Sequence, residues 1–153
     1  MKIAIGADHG GYPLNERVIE ILSAAGHEIV DFGTHDGAQA DDYPDYALKV
    51  GEAVRAGRAS CGIIICGSGV GASVAANKLR GVRAALCGDT YSAHQSREHD
   101  DCNVLCLGAR VVGVELALEI VRAFVGARFT GEERHARRLA KVLAIEQRET
   151  TKE

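Results

Sequence analysis

Residues 63–78 read IIICGSGVGASVAANK. Three isoleucines run into Cys66, then Gly67, Gly69 and Gly71 alternate with other residues, and a small-residue stretch follows. The β-branched run has the character of a buried strand, and the segment after the glycines that of a helix. A strand, a glycine turn and a helix in direct succession form the first part of a β-α-β unit, so this stretch points to an α/β protein.

The rest of the chain repeats the alternation. Further strand candidates are KIAIG (2–6), EIVDF (28–32), GIIIC (62–66, overlapping the stretch above), RAALC (83–87) and NVLCLG (103–108). All but the second are nearly continuous in apolar residues, as parallel strands covered on both faces must be. Helical patterns lie between them, near 12–25, 44–57, 70–79 and 91–98, with others at 112–126 and about 131–147. The expected fold is therefore a Rossmann-like, doubly wound three-layer α/β sandwich: a five-stranded parallel sheet with a C-terminal helix. A single domain over 1–148 is expected, with 149–153 as a frayed tail. In such sheets ligands gather at the carboxyl ends of the strands. Those ends carry GADHGG, CGSGVG, CGDTYS and GAR, the most polar and glycine-rich parts of the chain.

Composition narrows the classes. The 153 residues carry a net charge of −3, with 46% hydrophobic and 25% charged residues. A broad attraction to nucleic acid or an anionic membrane is not expected, so any anion must be held locally. No apolar run approaches the ~20 residues of a membrane span, and MKIAIGADHGG reaches Asp8 too soon for a signal peptide. Five cysteines without a disulfide spacing suit free thiols in a reducing cytoplasm.

The glycine loop admits several ligands. Gly67, Gly69 and Ala72 satisfy a dinucleotide fingerprint, with Asp89 downstream as a ribose-binding acid. That reading leaves too little chain for a second nucleotide half and does not use Asp8 or His9. A Walker loop is excluded, because no Gly-Lys-Ser/Thr follows. Alternatively, the loop surrounds a reacting oxygen, with Cys66 as a base; thiolate is the active form, and helix N-termini favour it. The plain alternative is a buried cysteine followed by a tight turn.

In GADHGG, Asp8 and His9 are an adjacent carboxylate and imidazole suited to moving protons on hydroxyl groups; equally, Asp8 could simply cap the next helix. His94 and His99, with Cys102 and Cys106 following, do not match familiar zinc spacings, so no metal is expected. The last helix carries ERHARRLAKVLAI. Steps of about 100° place Arg134, His135 and Arg138 in one sector, at the azimuths of Val142 and Ile145, the face expected to pack against protein. Two arginines and a histidine on an inner face suit a phosphate.

Taken in order, ADHGG, DYPDYA with its leading Asp41, GIIICGSGVGASVAANK, YSAHQSREH, NVLCLGARVVG and ERHARR resemble the ribose-5-phosphate isomerase B family, which includes galactose-6-phosphate isomerase subunits. The resemblance runs from Met1 to about Arg148. It implies aldose–ketose isomerisation of a sugar phosphate, ribose 5-phosphate foremost, without metal or organic cofactor. A six-carbon or four-carbon sugar phosphate is the alternative substrate. Cys66 would shuttle a proton between C2 and C1. Ser68 and the amides of Gly67, Gly69, Val70 and Gly71 would hold the enediolate oxygen. Asp8, His9 and His99 match positions of sugar binding and ring opening, and Tyr43 an aromatic position at the pocket. Arg134, His135 and Arg138 match a phosphate clamp to which Arg110 adds. The resemblance implies a dimer, or a dimer of dimers, with each pocket shared between subunits. One branch uses a glutamate six residues after the cysteine; Ala72 stands there in this chain, leaving the role to Cys66. Relatives usually carry asparagine after the ring-opening histidine, whereas this chain has Asp100, which when ionised can only accept hydrogen bonds.

Overall fold

A computed structural model describes residues 1–150. Strands β1 (Lys2–Ala7), β2 (Glu28–Asp31), β3 (Cys61–Cys66), β4 (Ala84–Leu86) and β5 (Val104–Gly108) alternate with helices α1 (Tyr12–Ala24), α2 (Tyr43–Arg55), α3 (Val70–Ala76), α4 (Thr90–Asp100) and α5 (Val114–Gly126). Helix α6 (Glu133–Thr150) closes the described chain. The strands form one parallel sheet in the order β2-β1-β3-β5-β4.

Period-two alternation along the central strands sorts their side chains between two cores. Ile63 and Ile65 join Leu14 and Val18 of α1 and Ile120 and Phe124 of α5 on one face. Ile64 and Cys66 join Val50 and Val54 of α2 and Ala72 and Ala76 of α3 on the other. Both faces are covered, which is why these strands are apolar throughout. The sheet order reverses between β1 and β3, so the loops after these two strands diverge to opposite sides and leave a crevice between them.

Element boundaries agree with the sequence pattern to within a few residues. Helix α3 stops at Ala76, where Asn77 bonds back to Ser73 O and pairs with both backbone groups of Ala84, turning the chain into β4. The C-terminal helix runs on through Glu149 and Thr150, residues whose pattern suggests a tail; 151–153 lie outside the described residues. A second correction concerns the face of α6. His135 is its one buried residue, while Val142 and Ile145 are 52% and 56% exposed. Within one chain the helix meets α4 and leaves its apolar stripe uncovered, because the sheet's faces are already filled by the first five helices.

Candidate active site

Cys66 ends β3, pairs in register with Gly108 and lies buried, opening into a cavity of about 320 Å3 lined by Asp8, Tyr43, Ser68, Gly71 and Arg110. The loop after it wraps around the sulfur: Gly69 N–H donates to Cys66 Sγ at 3.1 Å. Gly69 achieves this at φ +79°, where a Cβ would also stand 2.9 Å from the Leu107 carbonyl carbon. Helix α3 begins at once and leaves the amides of Val70, Gly71 and Ala72 without intrahelical acceptors. Val70 N–H turns to Ser68 Oγ at 3.3 Å. A Cβ on Gly71 would come within 2.5 Å of Tyr43 Cζ, so the ring lies directly on the glycine backbone. Of the loop donors expected at an oxygen, Gly69 thus serves the sulfur, whereas Ser68 O–H and Gly71 N–H border the cavity.

The remaining thiols belong to the core. Burial pushes Cys61 and Cys106 upward and Cys87 and Cys102 to about 11, which keeps them protonated.

Asp8 does both things read from its position. It is buried, one carboxylate oxygen accepts from Gly11 N–H at 2.9 Å, and it lines the Cys66 cavity. His9 is held by Asp41, whose Oδ1 accepts from both the His9 amide and Nδ1 at 2.8 Å. Tyr46 O–H donates to the other Asp41 oxygen at 2.5 Å. Partial desolvation opposes ionisation of Asp41, but the bonds from Tyr46 and His9 outweigh it and hold the carboxyl below its ordinary value. Asp41 and Tyr46 hold His9 in place, a role that the motif DYPDYA with its leading Asp41 does not by itself reveal. The signal was their separation from His9 by 32 and 37 residues, invisible until α2 packs on β1. Asp8, His9 and Asp41 are also close enough to offer three ligands to a cation. Here Nδ1 of His9 and both oxygens of Asp41 already satisfy one another and Tyr46.

The other site candidates lie elsewhere. Helix α4 leaves the carboxyl end of β4 and runs back along the sheet. Its last turn, with His99 and Asp100, therefore ends beside the amino ends of β4 and β5, where Asp101 pairs with Arg83 and Asn103 N–H bonds Arg83 O. Five residue steps of β5 separate that level from Gly108 beside Cys66, roughly 16 Å. Thr130 N–H bonds Glu98 O, tying the entry of α6 to the same turn. The His135 ring stacks on His99 with centroids 4.0 Å apart; neither of its nitrogens has a hydrogen-bond partner, though Glu132 Oε2 lies 3.9 Å from Nε2. Burial, the neighbouring His99 and the Arg134 charge hold His135 below the usual imidazole value. Arg134 is exposed and bonded to Glu132; Arg138 is exposed and lines a groove of about 520 Å3 with Asp100, Val142, Ile145, Val82 and Ala84.

One chain therefore brings together Asp8, His9, Tyr43, Cys66, the Gly67–Gly71 loop and Arg110. It places His99, Asp100, Arg134, His135 and Arg138 in a second group at the far end of the sheet. Two sequence ambiguities also close. Asp89 caps α4 through Ser92 N–H and O–H, so it is engaged structurally rather than held out to a ribose. His94 pairs with Glu98 and lies edge-on to Tyr91 on the α4 surface.

Residues 3–142 match the family described as Ribose/Galactose Isomerase. The chain is 49% identical to ribose-5-phosphate isomerase B of Escherichia coli over 147 residues, covering 96% of this chain and 97% of that one. The ribose-5-phosphate isomerase B structure from Clostridium thermocellum superposes with a TM-score of 0.93 at 52% identity, covering 97% and 99% of the two chains. That from Mycoplasma genitalium, solved with ribulose-5-phosphate bound, gives 0.90 at 40% identity, covering 95% and 96%. On this agreement of sequence, fold and extent, the chain belongs to the ribose/galactose isomerase family.

Proposed function

We propose that this protein interconverts ribose 5-phosphate and ribulose 5-phosphate, with Cys66 as the base. The observation that carries the reading is the buried Cys66 Sγ, supported by Gly69 N–H, in the wall of a cavity also lined by a carboxylate and further donors. The relatives named above are ribose-5-phosphate isomerases, and one was solved with the ketose product bound.

The chemistry follows from the donors present. As the furanose C1–O4 bond breaks, Asp8 takes the O1 proton and returns it to the ring oxygen, giving the open aldehyde. The Cys66 thiolate then removes the C2 proton, and charge develops on O1. Ser68 O–H and Gly71 N–H stabilise that oxygen; a single oxyanion donor is typically worth about 3–4 kcal/mol. The thiol returns its proton to C1, and the O2 proton passes to O1 through the Asp8–His9 pair, leaving the C2 ketone. Every proton is conserved, so no co-reactant enters.

The phosphate group needs cations away from the reacting carbons, and the first group of residues offers only Arg110. Arg134, His135 and Arg138 supply that chemistry, yet they lie at the far end of their own chain. A homodimer resolves the separation: α6 of one copy reaches the Cys66 cavity of the other. Exposed apolar residues flank both groups, Val70 and Val74 beside the glycine loop and Val142 and Ile145 beside Arg138. A two-fold contact would bury both sets and form two equivalent sites.

Purified protein assayed with ribose 5-phosphate, without added nucleotide or metal, tests the reading. Formation of ribulose 5-phosphate that is lost in Cys66→Ala supports it; substantial turnover in that variant overturns the thiol base.

A further inference from the structure

Gln95 sits one helical turn before His99, between two groups whose chemistry leaves it a single orientation. Its Nε2 lies 3.0 Å from His99 Nδ1 and 3.2 Å from Asp100 Oδ2. An ionised carboxylate accepts and never donates, so the end of the amide facing Asp100 is the NH2 group. That group has two hydrogens, one for Asp100 and one for His99. His99 Nδ1 is then an acceptor, and the ring proton of the neutral imidazole is on Nε2. His135 covers the face of the same ring at 4.0 Å and 22°, which resists its rotation.

From this geometry we infer that Asp100 and Gln95 form a positioning pair that fixes His99 as the Nε2–H tautomer, presenting a hydrogen-bond donor to the ring oxygen of a sugar bound in the Cys66 cavity of the second copy in the proposed dimer. The inference rests on the proposed isomerase reading for the substrate, but not for the tautomer. His99 keeps its proton in this role. It draws charge onto O4 as the C1–O4 bond lengthens, while the proton that O4 finally carries is the one O1 surrenders through Asp8. With asparagine at position 100, that side chain can turn its own NH2 toward the glutamine. The Gln95 amide is then free to reverse, and the tautomer of His99 is no longer determined. The carboxylate of Asp100, unfavourable beside an enediolate if left open, is spent on orienting Gln95 instead.

Ribulose 5-phosphate cannot close a furanose ring, because its 5-oxygen is esterified, and this separates ring opening from enolisation. Two measurements on the full chain test the pair. Long-range ¹H–¹⁵N correlation spectra of histidine-labelled protein should show His99 as the Nε2–H tautomer, and Gln95→Leu and Asp100→Asn should each move it toward a mixture. Gln95→Leu should slow isomerisation of ribose 5-phosphate about tenfold, the worth of one hydrogen bond. Its exchange of solvent deuterium into C1 of ribulose 5-phosphate should stay within about twofold of the unaltered protein, because that exchange retains every enediolate contact. An Nδ1–H ring in the unaltered protein, spectra unmoved by both substitutions, or equal loss of exchange and isomerisation overturns the inference. If the unaltered protein fails to isomerise ribose 5-phosphate, the isomerase reading falls, and the spectra still decide the tautomer.

Discussion

The two ends of the sheet carry the reactive side chains, and they are built on different terms. At the carboxyl end, Cys66, Asp8 and His9 are held by their own chain: the sulfur by Gly69, Asp8 by Gly11, and His9 by Asp41, itself bonded to Tyr46. At the amino end, His135 is buried with neither nitrogen hydrogen-bonded, Arg138 is exposed, and Val142 and Ile145 of α6 are exposed beside it. Buried polar atoms normally find partners, so an end left in this state is shaped to meet something else. The first region is held in place by its own chain; the second leaves buried and exposed groups open, and the proposed function gives them to the substrate phosphate and a second copy of the chain.

The largest effect that could break this comparison is expected from Cys66→Ala. Turnover should fall by about 10³-fold, within the range that a positioned base contributes, while sugar phosphate still binds by calorimetry. Loss of binding as well would show that the sulfur is structural.

Mixing comes next. Cys66→Ala and His99→Asn proteins should each be inactive, yet co-refolding equal amounts should restore about a quarter of normal activity, since half the dimers are mixed and each has one intact site. Restoration of nothing would confine each site to one chain. Smaller again is Arg138→Ala, which should raise KM for ribose 5-phosphate about 10- to 100-fold with kcat little changed, as expected for a charged hydrogen bond to a remote phosphate. Gly71→Ala should lower kcat about tenfold by displacing Tyr43 from the loop, visible as a shifted tyrosine ring resonance.

The smallest effect concerns His135. Its native value is lowered, so below about pH 6.5 the unfolded state binds a proton that the native state refuses. Stability should therefore decline as pH falls below that value. Urea midpoints for the unaltered protein and His135→Phe should diverge there, the variant losing less; parallel curves would show that His135 protonates freely in place.

Much of this was legible along the chain, for identifiable reasons. Strands β3 and β5 are apolar at every position because both faces are covered, and that signal needs no partner residue to be read. The glycines of 67–71 advertise a close backbone approach in the same way. The exposure of the α6 face is not legible in the sequence, because azimuth tells which residues align but not whether anything packs on them. Asp41 and Tyr46 escaped because their meaning lies in a contact made across more than thirty residues.

Local backbone preference and side-chain periodicity were enough to specify the alternating elements, the covered sheet and the loop around Cys66, since each depends on neighbours within a few residues. Folding in three dimensions decided the rest: that His9 leans on Asp41 across 32 residues, and that the last turn of α4, with His99, ends roughly 16 Å along β5 from the level of Cys66. The first follows from α2 packing on β1 and the second from α4 running back along the sheet, and no pattern read residue by residue records the direction in which a helix ends.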